Sequence, residues 1–205
     1  LGLTRKCLEL IDQYEYGVTV HTKSNRVLRD MDLLQSIHEK AKAVVQMTLT
    51  TYDEELCKKI EPNVCTTRER FEVLMECKRR GIPTVVWLSP ILPFINDTKE
   101  NIDGILDYCI EARVKGIIFF GIGVTLREGD REYFYSALDH DFPGMKERYI
   151  KTYGNAYELP SPNTRELTKL VVERCEEAGI LCKPDDCFAY LHEFPEKYVQ
   201  QSLFD

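Results

Sequence analysis

Ala43-Val44-Val45-Gln46-Met47-Thr48-Leu49-Thr50 is the stretch on which the fold turns. It is almost continuously apolar until the hydroxyl residues at its end. A strand with one wet face alternates apolar and polar residues. A strand covered on both faces reads as an unbroken β-rich run, which is the habit of parallel sheets. Three further runs flank it: Gly17-Val18-Thr19-Val20-His21-Thr22-Lys23, Pro83-Thr84-Val85-Val86-Trp87-Leu88 and Gly116-Ile117-Ile118-Phe119-Phe120.

Helical patterns lie between these runs. Residues 4–16 place Cys7, Leu8, Leu10 and Ile11 on one side. Asp30 can cap a helix carrying Leu33, Leu34 and Ile37. Thr66 with Glu69 three positions on has the form of a capping box, and Gly81 follows Arg79-Arg80 as a stop. Thr98 opens a helix with Ile102, Ile105, Leu106 and Cys109 inward. Pro162 sits at a first-turn position, and Leu167, Leu170, Val171 and Cys175 form a stripe ending at Gly179. Alternation of this kind predicts an α/β fold with right-handed crossovers and helices on the outer face of the sheet. Four strands are too few to close an eight-stranded barrel. The sheet is therefore open, or part of a barrel lies upstream of Leu1; a start on a helix with an uncovered strand edge favours the second, so the expected architecture is a partial parallel (βα) barrel over residues 1–125, followed by a helical, aromatic-rich C-terminal extension over residues 126–205.

The chain of 205 residues is 43% hydrophobic, enough for one sizeable core, and carries a net charge of −7. An acidic chain is a poor generic nucleic-acid binder, because phosphate contacts need Lys and Arg. No apolar run approaches the roughly 20 residues of a membrane span, and no signal peptide opens the sequence, so a cytoplasmic protein is expected. The first residue is not Met, so the native start can lie upstream. The eight cysteines are irregularly spaced and read as reduced, mostly buried thiols, with no metal site expected.

Sites in parallel α/β sheets lie beyond the carboxyl ends of the strands. Here those ends are polar. Lys23 follows the first strand; an ammonium there can hold a carboxylate or phosphate, or be a solvated loop residue. Thr48 and Thr50 alternate to the same side of the second strand, where hydroxyls can meet a ligand or simply reflect β-propensity. Ser89-Pro90-Ile91-Leu92-Pro93 is a stiff stretch fit for a pocket wall. Gly121 and Gly123 allow close backbone approach. His21, His38, His140 and His192 form no spaced cluster and read as structural or exposed.

Taken in order, Thr4-Arg5-Lys6, Val20-His21-Thr22-Lys23-Ser24, Leu28-Arg29-Asp30, Thr48-Leu49-Thr50-Thr51, Ile60-Glu61-Pro62, Arg70, Gly81-Ile82-Pro83, Ser89-Pro90-Ile91-Leu92-Pro93 and Asn96-Asp97 resemble the radical S-adenosylmethionine (SAM) superfamily. Within it they are similar to the spore photoproduct lyase-like proteins, also called DNA repair photolyases. The resemblance implies a partial (βα)6 barrel whose [4Fe–4S] cluster is held by a Cys-x3-Cys-x2-Cys motif. None of the eight cysteines here has that spacing, so the motif would precede Leu1, and this fragment alone is expected to be inert and to carry no cluster. In the parent enzyme the resemblance implies reductive cleavage of SAM to a 5′-deoxyadenosyl radical, with DNA repair as the associated role. It gives Lys23 to the SAM carboxylate, Thr48 and Thr50 to the methionine and ribose end, and Ser89 to the nucleoside. Glu61 and Arg70 are read as an ion pair holding the helix after the second strand.

Two alternatives stay open on residues alone. One is an aldolase-like barrel with Lys23 as Schiff-base nucleophile. The other is a cluster-free binding module. Finally, Gln200-Gln201-Ser202-Leu203-Phe204-Asp205 resembles the peptide by which repair proteins dock on the bacterial sliding clamp. Leu203 and Phe204 would be its apolar anchors and Gln200 its polar latch, unless they pack back on the domain.

Overall fold

The computed structural model describes residues 2–195. Its centre is a four-stranded sheet of β1 (Val18–Thr22), β2 (Ala43–Thr48), β3 (Thr84–Trp87) and β4 (Gly116–Ile118), all parallel and in chain order. The crossovers carry α2 (Met31–Lys40), then α3 (Glu54–Ile60) and α4 (Thr67–Arg79), then α5 (Lys99–Ala112); α1 (Leu3–Gln13) leads into β1. Among the described residues the sheet is open, and no strand pairs with the outer edge of β1. All four predicted strands are present, in the predicted arrangement.

The local signals act as the residues dictate. Thr66 accepts from the Glu69 amide while the Glu69 carboxylate accepts from the Thr66 amide, a complete capping box at the start of α4. Thr98 caps α5 in the same way through the Asn101 amide. Gly179 ends α8 (Thr164–Ala178) in the left-handed region that glycine tolerates, at φ 67°. Asp30 departs from expectation. It stands at the start of α2 without capping it, because its buried carboxylate is bonded by Arg5 and Arg29. Pro162 falls two residues short of α8, whose N-cap is Asn163.

One side of the sheet packs against the crossover helices and α8. Val45, Met47, Leu49, Val86, Leu88 and Ile117 meet Leu34, Ile37, Leu74, Ile102 and Val171, all with no measurable exposure. In α1, Leu8 is buried and Ile11 half-buried, but Cys7 and Leu10 face solvent; only the narrower stripe fits against α2.

The C-terminal part is not simply helical. β5 (Gly123–Thr125) pairs antiparallel with β6 (Glu158–Pro160), enclosing α6 (Asp130–Asp141) and α7 (Met145–Tyr153) around Leu126, Leu138, Tyr149 and Leu159. Helix α8 returns to α5 on the outer side. The last described helix, α9 (Pro184–His192), is not on the outer face: Cys187 and Leu191 cover Val44, Val85 and Ile118 on the inner face. Gly116 makes this possible, since a Cβ there would lie 2.8 Å from the Cys187 sulfur. Lys42, almost fully buried, donates to the carbonyls of Tyr190 and Glu193 at the C-terminal end of α9, where a cation is favourable. All eight cysteines are free, five of them buried. No described helix is long and apolar enough to cross a membrane.

Candidate functional site

Strand alternation sorts the sheet's side chains into two sets. Residues 45, 47 and 49 of the second strand enter the outer core. Residues 44, 46, 48 and 50 share the opposite side with residues 19, 21 and 23 of the first strand and 85, 87 and 89 of the third. The register pairs Thr22 with Met47 and Thr48 with Trp87. One step further brings Lys23 level with Thr48.

At this carboxyl end the side chains converge on Glu61, the residue that closes α3. Lys23 Nζ donates to Glu61 Oε1 at 2.7 Å. Thr50 Oγ1 donates to Glu61 Oε2 at 3.3 Å. The Arg70 guanidinium reaches back from the first turns of α4 to the same Oε2 at 2.9 Å. Arg70 also donates to the carbonyls of Thr48 at 2.9 Å and Cys65 at 2.8 Å. Its remaining nitrogen, NH2, is buried and has no hydrogen-bond partner among the described residues. Burial alone would raise the Glu61 pKa, but the Lys23 hydrogen bond and the charges of Arg70 and Lys23 outweigh it. The carboxyl group therefore titrates below its ordinary range. Two cations share one carboxylate, and a fully buried donor lacks an acceptor. The chemistry suits an anionic ligand group.

Lys23 and Thr50 are thus brought together on Glu61, whereas Thr48 joins them only through its backbone carbonyl, held by Arg70, and turns its hydroxyl to His21. The Glu61–Arg70 pair exists, but it does more than hold a helix, since Lys23 leans on the same carboxylate. Ser89 stands at the end of the neighbouring strand. With Pro90, Phe120, Ile122, Thr125 and Glu158 it lines a cleft of about 610 Å³, of a size that takes a drug-sized ligand. Gly121 borders this cleft with φ 104° and open space where a Cβ would be. Gly123 has a different reason: a Cβ there would lie 2.5 Å from the Leu159 carbonyl, so β5 and β6 could not pair as closely. Asn96 is structural. It donates to the Thr50 carbonyl at 2.9 Å and fixes the turn after β2.

Two inner-face residues, Gln46 and Trp87, escaped sequence reasoning, and His21, read there as structural or exposed, joins them. His21 Nε2 shares a 3.1 Å hydrogen bond with Thr48 Oγ1, and its ring stacks on Trp87 at 5.2 Å. The Trp87 indole N–H donates to Gln46 Oε1 at 2.8 Å. Burial, then the nearby Lys23 charge, lowers the His21 pKa, which favours the neutral ring. The available signal was parity, because His21 lies two residues before Lys23 and Gln46 two before Thr48. Among the described residues no group of His, Cys, Asp or Glu side chains is arranged to hold a metal ion, so these residues do not fit an iron–sulfur cluster. Gln200, Leu203 and Phe204 lie outside the described residues.

The chain is similar to a solved domain of a pyruvate-formate lyase-activating enzyme from Bacteroides vulgatus, with a TM-score of 0.54 and 11% identity over 88% of each chain. It is also similar to Streptococcus suis SuiB, solved bound to S-adenosylmethionine, with a TM-score of 0.52 and 9% identity, over 87% of this chain and 35% of that one. The chain therefore shares the fold of these two structures: an α/β architecture built on an open parallel sheet. In sequence the chain is 26% identical to an uncharacterized protein of Mycobacterium tuberculosis over 152 residues, covering 74% of this chain and 44% of that protein. An uncharacterized protein of Acidianus two-tailed virus is 29% identical over 138 residues, covering 66% and 44%. One from Methanocaldococcus jannaschii is 33% identical over 97 residues, covering 47% and 36%. The chain spans less than half the length of these curated relatives. No family model matches it.

Proposed function

We propose that this chain is part of a SAM-binding enzyme of the radical SAM type, and that its share of the site is the carboxyl-end cluster around Glu61. The observation that carries this is the meeting of Lys23, Thr50 and Arg70 on Glu61, with Arg70 also holding the Thr48 carbonyl, at the end of an open parallel sheet similar in fold to a pyruvate-formate lyase-activating enzyme domain. Lys23 would take the carboxylate of the methionine portion, and Thr48 and Thr50 would offer hydroxyls to the methionine and ribose end. Ser89 would border the nucleoside. Once bound and reduced, SAM supplies a 5′-deoxyadenosyl radical; the residues here bind, orient and shield it. Residues 126–205 would act as an extension of this barrel.

The spore photoproduct lyase-like resemblance extends the proposal to DNA repair in the cytoplasm, with residues 200–204 as a docking peptide for a sliding clamp. The Schiff-base alternative is the weaker one chemically. Its nucleophile must be a free amine, whereas the 2.7 Å contact with Glu61 engages Lys23 as an ammonium.

The test is SAM binding to the full-length protein, measured by calorimetry. Lys23→Met should weaken it by about 10- to 100-fold, the range for a hydrogen bond to a charged group. Wild-type affinity in the variant would remove Lys23 from the site.

A further inference from the structure

We infer that Glu61 is a positioning residue, which holds the Lys23 ammonium at the height of Thr48 for an incoming carboxylate and is itself held by Arg70. The inference rests on the proposal that Lys23 meets the ligand's carboxylate, and it adds a residue with no ligand contact of its own.

Lys23 follows β1 and its flexible side chain is 41% exposed, so left alone its ammonium would sample many rotamers. Glu61 is confined: its side chain is 12% exposed, and each oxygen has its own partner. Oε1 receives Lys23 at 2.7 Å, and Oε2 receives Arg70 at 2.9 Å and Thr50 at 3.3 Å. Arg70 has no exposure at all and is tied to the carbonyls of Thr48 and Cys65. A rigid chain of contacts therefore runs from the end of β2 through Arg70 and Glu61 to a mobile lysine.

The charge count points the same way. Lys23 and Arg70 contribute two positive charges and Glu61 one negative, so the cluster keeps a surplus of +1. A purely structural ion pair needs one cation for one carboxylate. The surplus remains at the exposed member, Lys23, whose ammonium spends one of three donors on Glu61 and keeps others for a second anion. Glu61 thus orders the lysine without neutralising the site. An incoming carboxylate completes the balance.

Two measurements separate this inference from the proposal beneath it. The first uses the chain without ligand: competitive acylation of lysines, read by mass spectrometry, with Lys58 as internal reference. Glu61→Gln should raise Lys23 labelling by about two- to fivefold, the scale of a half-exposed ion pair. An unchanged Lys23 rate would overturn the inference whatever the ligand. The second compares SAM with decarboxylated SAM, which keeps the sulfonium and the adenosine, in the full-length protein. Glu61→Gln should erode the preference for SAM by about tenfold while leaving decarboxylated SAM at wild-type affinity, and Glu61→Asp should recover part of the preference. Equal loss for both ligands, or an undiminished preference, would show a structural role and refute positioning. Increased labelling in a protein with no preference for SAM over its decarboxylated form would uphold the hold on Lys23 and remove the carboxylate assignment instead.

Discussion

The two sides of β2 are equally buried and chemically unlike. Val45 and Met47 enter the apolar outer core. Val44, Gln46 and Thr48 face inward, where Gln46 accepts from the Trp87 indole and Thr48 shares a hydrogen bond with His21. Burial therefore does not separate the sides; the partners do. The outer side is held by area and shape, for which any well-packed apolar set would serve. Inward-facing polar groups are held by specific donors and acceptors, and their cost when unpaired is what fixes the arrangement. A ligand site can be built only on the second kind of surface.

Arg70 joins the two regimes, since it lies in the outer helix layer yet bonds the inner cluster. Removing it should have the largest effect. Arg70→Ala strips Glu61 of its buried cation and should cost about 3–5 kcal/mol of unfolding free energy, measured by urea titration. A paired Glu61→Gln, Arg70→Met variant should recover a good part of that loss. If the double variant is as unstable as the sum of the singles, the pair does not couple the two sides.

Leu88→Ala probes the outer side alone. It opens a cavity in a fully buried position and should cost about 2–5 kcal/mol. SAM affinity of the folded variant should stay at the wild-type value. A specific loss of SAM binding there would break the division between the two sides.

Thr48→Val is the inner counterpart, nearly the same in volume. It loses the hydrogen bond to His21 and should cost only about 0.5–1.5 kcal/mol in stability. Its larger consequence should be in ligand binding. A stability loss as large as that of Leu88→Ala would mean that the inner face is held as the outer one is.

The outer side was legible in the sequence because it depends on period and caps. Apolar runs, the Thr66–Glu69 box and the Gly179 stop are all local, and all lie where they were read. Lys23, Thr48 and Thr50 were legible as strand-end polar residues, though how a ligand uses them is a separate matter. The Glu61–Arg70 pair was read from the resemblance, but its link to Lys23 was not, because Glu61 is 38 residues from Lys23 and the two meet only when the strands align. β5 and β6 escaped because three-residue strands among aromatics carry no period. The inward position of α9 depends on the missing side chain of Gly116, which reads as an ordinary turn until the helix is placed against it.

The smallest effect is also the most local, and Trp87 reports it as the sole tryptophan. His21 stacks on Trp87, and burial and then the Lys23 charge hold its pKa below the ordinary value of about 6.5. The folded protein therefore binds this proton less readily than the unfolded chain. Stability from neutral His21 is fully present above about pH 6.5 and is lost as pH falls through the lower folded value. Protonation places an imidazolium against the indole, which should quench its fluorescence. The emission of Trp87 should fall with a midpoint below about pH 6.5, and His21→Gln should abolish the transition. Lys23→Met, which removes a repelling charge, should move the midpoint up toward 6.5. A midpoint at or above 6.5 in the wild type, or one indifferent to Lys23, would mean that His21 is not enclosed with the cluster and that the inner face is more open than its contacts imply.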